Sequence, residues 1–172
     1  MRPILFVFSG LPASGKSTLA QRVASKFTAA YLRIDTIEQA FRDLCNFDVE
    51  GEGYRMAYRI ASDNLRLGLN VIADCCNPIA LTRNEWKNVA QNTNSFLINI
   101  EVVCSDKEQH QKRVFNRVSE IENLQLPNWE AISKYHYENW TENRIQIDTS
   151  NKTIEDSVTE LFSEIELILN NN

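Results

Sequence analysis

The chain alternates short, almost wholly apolar runs with longer stretches in which apolar residues return every three or four positions. The first run, Ile4 to Phe8 within ILFVFS, predicts a buried strand. Beyond it, Leu19, Ala20, Val23, Ala24 and Phe27 fall at helical spacing. A short strand follows over Tyr31 to Asp35, then a helix over TIEQAFRDL. GYRMAYRIASDNLRLG predicts another helix, with Ala57, Ile60, Ala61 and Leu65 on one side and Gly68 as its stop. Asn70 to Asp74 reads as a strand, and Asn77 with Pro78 as the N-cap and first residue of the next helix. Phe96 to Cys104 is a long apolar strand. Ser105 and Glu108 then predict a capping box for a helix bearing Arg113, Val114, Arg117, Val118 and Ile121. PNWEAISKYHYENW predicts a further helix and RIQID the last strand. Ile154, Val158, Leu161, Ile165 and Ile168 line a closing helix capped by Thr153.

Strands that alternate with helices and are apolar on both faces imply an α/β fold, a parallel sheet with helices on each side. At 172 residues the chain reads as one domain with a core of its own. No internal repeat, linker or low-complexity tract is evident apart from the terminal asparagines. In such sheets ligands bind beyond the carboxyl ends of the strands. Gly10, Asp35, Asp74 and Cys104 or Ser105 all fall at those ends.

Composition narrows the class. A chain 43% hydrophobic and 24% charged is that of a soluble globular protein. Its net charge of −5 lowers the expectation of a nucleic-acid surface without removing it, because a local basic groove can survive in an acidic protein. Cys45, Cys75, Cys76 and Cys104 form no C-x-x-C pair, and only His110 and His136 could join them, so no zinc site is expected. Cys75 and Cys76 read as packing residues. ILFVFS is too short for a signal h-region or a membrane span. The expectation is a cytoplasmic protein with reduced thiols and no membrane association.

The chemistry starts at GLPASGKST, Gly10 to Thr18. Its spacing, G-x-x-x-x-G-K-[ST] between a strand and a helix, is that of a phosphate-binding P-loop. Gly10 and Gly15 let the backbone turn tightly. Together with Pro12, Ala13, Ser14 and Thr18 they make up the nucleotide-binding loop, whose N–H groups, other than at Pro12, which has none, form a nest for phosphate oxygens. Lys16 reaches the β- and γ-phosphates of a nucleotide such as ATP, and the Ser17 hydroxyl can ligate Mg²⁺. A helix opening at Lys16 adds its dipole.

Two carboxylates and two guanidiniums accompany the loop. Asp35 can accept the proton of an acceptor hydroxyl, or cap the following helix with Glu38, and both can hold at once. Asp74 ends an apolar strand where an acid can hold Mg²⁺, or it simply caps the next turn. Arg113 and Arg117, four residues apart on one predicted helix face, suit a lid over transferring phosphate, and equally a solvated face beside Glu120 and Glu122.

With these pieces in order, the chain resembles the small P-loop kinases grouped as AAA family ATPases, relatives of zeta toxin, chloramphenicol phosphotransferase and gluconate kinase. The resemblance runs almost end to end. It rests on GLPASGKSTLA, LRIDTI, Gly53 with Tyr54, NVIADCCNPIALTRNEW, VVCSDKEQHQKRVFNRV, PNWEAISKYHYENW and IDTS. It implies a three-layer P-loop NTPase fold, a five-stranded parallel sheet of nucleoside-kinase type with a helical lid at about 105–125, and ATP-dependent transfer to a small acceptor. By matching position, Asp35 would be the acceptor-side base, Asp74 the Walker-B-like acid, Arg83 a substrate or phosphate contact, and Arg113 with Arg117 the lid arginines. Relatives commonly carry arginine three residues after the first aspartate, where this chain has Glu38. That reversal of charge puts an inherited anionic substrate in doubt and leaves open whether Arg42, one turn later, substitutes.

Three functions fit this set: a small-molecule kinase, a polynucleotide 5′-hydroxyl kinase, and a nucleotide-hydrolysing switch without an acceptor. The first is preferred, because no basic stripe accompanies the second. The N-K-x-D base reader of GTPases is absent, since NKTI at Asn151 lacks the aspartate.

Overall fold

The computed structural model describes residues 2–171, so Met1 and Asn172, the last of the terminal asparagines, lie outside it. Five strands form one sheet: β1 (Ile4–Ser9), β2 (Ala30–Arg33), β3 (Val71–Asp74), β4 (Phe96–Val103) and β5 (Ile145–Asp148). They lie in the order β2-β3-β1-β4-β5, and every pairing is parallel. The helices are α1 (Lys16–Phe27), α2 (Ile34–Cys45), α3 (Glu52–Arg66), α4 (Ala80–Asn92), α5 (Lys107–Asn116), α6 (Trp129–Ser133) and α7 (Ile154–Asn170).

Side chains alternate across each strand, so β1 serves two cores. Ile4, Phe6 and Phe8 pack with Leu19 and Val23 of α1 and Leu161 and Ile165 of α7. Leu5 and Val7 point the other way, into a layer with Ala57, Ala61 and Leu65 of α3 and Trp86 of α4. Trp86 is fully buried, and truncating such a side chain to alanine costs about 3–5 kcal/mol. This is the three-layer P-loop arrangement that the alternating pattern implies. Register then fixes the site: Phe8 and Arg33 both pair with Asp74, so β1, β2 and β3 end together.

Several boundaries differ from the pattern, each for a physical reason. β2 stops at Arg33 because its partner β3 stops at Asp74, and the buried Ile34 already opens α2. Asp35 is therefore inside the first turn, and the expected Asp35–Glu38 capping box does not form; Arg33 occupies the N-cap without a side-chain bond. At α5 the cap is Asp106, which accepts from the Gln109 N–H, while Ser105 is drawn away to Asp148. That helix ends at Asn116, so Arg117, Val118 and Ile121 do not share its face; Val118 is 84% exposed and gains no packing from a further turn.

The helix expected over PNWEAISKYHYENW is only α6. Beyond it, the Glu138 and Asn139 carbonyls are taken by the Arg83 guanidinium, bonds that a helix would have needed internally. Asn77 is not the N-cap of α4 but a left-handed residue at φ 48°, three positions before the helix begins at Ala80. The predicted stop at Gly68, with φ 84°, and the Thr153 cap, reciprocated by Asp156, are both present. No helix among the described residues is long and apolar enough to cross a membrane.

Candidate active site

The P-loop wraps the carboxyl end of β1. Gly10 has φ 141°, and a Cβ there would lie 2.2 Å from the Val102 carbonyl oxygen, so only glycine lets the loop leave the strand beside β4. Ala13 and Gly15 also have positive φ, turning successive N–H groups inward. Two residues outside the motif hold the loop from below. Thr149, just after β5, donates its hydroxyl to the Ser14 carbonyl at 2.8 Å, and the His110 Nε2 lies 2.8 Å from the Pro12 carbonyl oxygen. Neither carries a motif signal of its own, because each acts through distant backbone. The Ser14 hydroxyl, buried, has no hydrogen-bond partner among the described residues.

Lys16 opens α1 and is 5% exposed. Burial would push its pKa down, but Cys76, Asp74 and Asp35 outweigh burial and the opposing Arg117, holding it above the ordinary lysine value. The ammonium is thus charged, with both strand-end carboxylates in its field. Asp74 is 2% exposed; its Oδ2 accepts from the Tyr31 hydroxyl at 2.6 Å, while Oδ1 is buried without a partner.

An unmet carboxylate oxygen on a residue in the field of the P-loop lysine suits Mg²⁺, which needs one or two protein oxygens and takes the rest from phosphate and water. Among the described residues, no group of three or more His, Cys, Asp or Glu side chains gathers as a fuller cage.

Two cavities are lined by neighbouring residues of the β2–α2 junction, Arg33 in one and Ile34 with Asp35 in the other. One, of about 390 Å³, is lined by Gly15, Lys16, Ser17, Arg33, Arg117 and Glu120, and Arg33 bridges it to Glu120 at 3.1 Å. The other, of about 840 Å³, lies on the far side of Asp35 and is walled by Glu38, Tyr54, Cys76, Glu85 and Tyr135. A third, of about 240 Å³, opens between Thr18, Arg113, Thr149 and Lys152.

The expected site residues divide accordingly. The loop residues, Asp35, Asp74 and Arg117 converge on the strand ends. Arg113 reaches the loop too, but its guanidinium is engaged by the Thr149 hydroxyl at 2.7 Å and carbonyl at 2.8 Å. Arg83, expected as a substrate or phosphate contact, is instead a clamp. It is 4% exposed, donates to the carbonyls of Asn77, Pro78, Glu138 and Asn139, and lies over the Trp140 ring, lining neither large cavity. Arg42 lines neither as well and lies 3.7 Å from Glu38. Cys75 packs in the core as expected, whereas Cys76 reaches the larger cavity.

The fold recurs in solved structures. A gluconokinase from Sinorhizobium meliloti 1021 matches with a TM-score of 0.72 at 12% identity, over 99% of this chain and 95% of that one. The Mycobacterium tuberculosis APS kinase in complex with AMPPNP and APS gives 0.70 at 17% identity, over 96% and 98%. Chaetomium thermophilum Kti12 in complex with ADP-AlF3 gives 0.69 at 21% identity, over 94% and 96%. At these identities the likeness is one of fold. No curated protein matches the sequence significantly. The profile of the AAA domain family matches residues 5–138, a span that runs from β1 through the P-loop, Asp35, Asp74 and α5. The chain belongs to the AAA domain family and has the fold of the small P-loop kinases.

Proposed function

We propose that the protein is an ATP-dependent phosphotransferase that moves the γ-phosphate to a hydroxyl of a small-molecule acceptor. The observation that carries this reading is a second cavity, lined by Asp35 and large enough for a second substrate, next along the chain from the one floored by the P-loop lysine, with Asp35 also in the electrostatic field of that lysine. A hydrolysing switch needs only the first. The fold is also that of proteins named for phosphoryl transfer, the gluconokinase and the APS kinase.

The nucleotide phosphates lie in the Gly10–Thr18 nest, with the base toward the cavity at Arg113, Thr149 and Lys152. Ser17 and Asp74 would hold Mg²⁺, which supplies charge neutralisation between the β- and γ-phosphates when bound. Asp35 accepts the acceptor's hydroxyl proton and orients that oxygen toward the γ-phosphorus. The new O–P bond forms as the bond from phosphorus to the β–γ bridging oxygen breaks, and the products are phosphorylated acceptor, ADP and one proton. Lys16 and Arg117 offset the charge on the transferring group.

The test is labelled γ-phosphate transfer from ATP into pools of metabolites and 5′-hydroxyl oligonucleotides, beside hydrolysis alone, for the parent and Lys16→Ala. Transfer into a small molecule that Lys16→Ala abolishes is expected. Transfer into oligonucleotides only would reassign the acceptor to nucleic acid, and hydrolysis without transfer would leave a switch.

A further inference from the structure

The larger cavity carries a chemical signature that none of the comparisons assigns. Asp35, Glu38, Glu50, Glu52 and Glu85 line it, against the single cation Arg55, whose side chain is exposed. Resting on the phosphotransferase reading, we propose that the acceptor is a cationic hydroxyl compound, an amino sugar or aminocyclitol whose ammonium is held by Glu38 and its neighbouring carboxylates while a hydroxyl faces Asp35.

Glu38 is more than a surface charge. It lies one turn beyond Asp35 on α2, its side chain is 23% exposed, and it packs over Gly53 of α3. A Cβ on Gly53 would lie 2.2 Å from the Glu38 Cγ, so the bare backbone of α3 makes the slot in which the carboxylate sits. Burial, and after it the charge of Asp35, push the Glu38 carboxyl above the ordinary carboxylate range, with Arg42 countering. Arg42 is 3.7 Å away and does not line the cavity, so the negative potential inside is left for a ligand to meet.

The remaining wall agrees. Tyr54, Tyr58 and Tyr135 present aromatic surface, which attracts ammonium groups through the ring quadrupole. Burial pushes the Tyr135 phenol up to about 12, so it stays a neutral ring and a hydrogen-bond donor or acceptor. The Asn77 N–H donates to the Tyr54 hydroxyl at 2.9 Å, which leaves that phenol's own proton free to be given to an acceptor. The lining carboxylates are acceptors, matched by a ligand rich in N–H and O–H donors. A carboxylated or phosphorylated acceptor would instead face at least five like charges.

The test uses two sets of compounds matched in size and differing in charge: glucosamine, glucose and gluconate, then neamine, trehalose and lactobionate. Calorimetric binding to the full protein with AMPPNP and Mg²⁺ decides the charge preference independently of turnover. The cationic member of each set should bind about tenfold or more tightly than its neutral and anionic counterparts. That gap should narrow with added salt. It should also close in Glu38→Gln and, separately, in Glu85→Gln, whose position on the exposed face of α4 puts the fold at little risk. Transfer assays on the same compounds should show the variants raising KM more than they lower kcat. Equal or tighter binding of the neutral or anionic members overturns the proposal, as does a gap that neither variant changes. Cationic binding without phosphoryl transfer to any compound would retain the pocket's preference and count instead against the phosphotransferase reading.

Discussion

The Tyr31 hydroxyl donates to the Asp74 Oδ2 at 2.6 Å, and this bond decides which oxygen of the carboxylate is free. The register sets Tyr31 opposite Ile72 and Arg33 opposite Asp74, so the phenol reaches two residues along the neighbouring strand. Burial, and then the charge of Asp74, push the Tyr31 phenol above its ordinary pKa, so it remains a donor. Asp74 is thereby fixed in rotation, with the buried Oδ1 left to whatever the P-loop brings. Tyr31→Phe keeps the ring's packing and removes the bond. Hydrogen bonds to charged groups contribute about 1.5–3 kcal/mol, so the Mg²⁺ concentration for half-maximal turnover should rise about tenfold or more. A magnesium titration of ATP turnover measures this directly, and an unchanged midpoint would show that Asp74 needs no such positioning.

Arg113 and Arg117 should fail differently, although the sequence presents them as a pair. Arg113 is tied to Thr149, which also holds the Ser14 carbonyl, so it braces the loop. Arg117, past the end of α5, lines the phosphate cavity and makes no hydrogen bond or ion pair among the described residues. Arg113→Ala should lower both the melting temperature and ATP affinity. Arg117→Ala should leave both nearly unchanged and lower kcat by about 10²-fold or more, within the range of arginines that meet transition-state charge. Melting curves, nucleotide calorimetry and turnover on both variants separate the roles; matched losses would return them to a single function.

These two arginines also mark where sequence reading succeeds and where it stops. The P-loop is legible because its glycines are demanded by local backbone geometry, at Gly10 by the approach of Val102 and at Gly15 by a left-handed turn. The end of β3 is legible because an apolar run stops at Asp74, whereas Asp35, expected at the end of β2, lies two residues beyond it in α2. The place of Arg83 is not legible because its partners are four backbone carbonyls, all of them in loops that no periodicity locates. The helical position expected for Arg117 fails because helical spacing continues past Asn116 while packing does not: Phe115 and Val118 are 71% and 84% exposed. Thr149 and His110 were missed because each meets the P-loop across about a hundred residues or more.

The closing side of the sheet should show its own acid dependence. Asp148, at the end of β5, accepts from the Ser105 hydroxyl and N–H and from the Ser150 N–H. Burial would raise its pKa, but these bonds hold it down at about 2, against 3.8 ordinarily. A carboxyl depressed on folding contributes stability that is fully present above its unfolded pKa and is lost as pH falls through the folded value. Asp148→Ala should therefore melt below the parent at pH 7, by about 2–4 °C given its solvent access. The difference should shrink as pH falls from 3.8 to about 2. Melts across that window check the sign, and an offset independent of pH would place the effect in lost packing.

Asp35 and Asp74 provide the sharpest separation of chemistry from architecture. Both bear on Lys16, so their loss could look alike in a simple activity assay. Their surroundings differ. Asp35 lies in the first turn of α2 rather than at its cap, where a negative charge favours the helix dipole by about 0.3–1 kcal/mol, so Asp35→Asn should cost little stability. It lines the acceptor cavity and not the phosphate cavity, hence Mg·ATP affinity should be kept while phosphoryl transfer falls by about 10²–10⁴-fold, the usual contribution of a general base. Asp74→Asn retains an oxygen for the Tyr31 hydroxyl but loses the charge at the unpartnered Oδ1, so it should raise the Mg²⁺ requirement and spare acceptor binding. Calorimetry with Mg·ATP, transfer at saturating Mg²⁺ and thermal melts, run on both variants, distinguish the two. Full transfer by Asp35→Asn would reduce that residue to a favourable charge at a helix start, and an unaltered Mg²⁺ dependence in Asp74→Asn would take the metal away from β3.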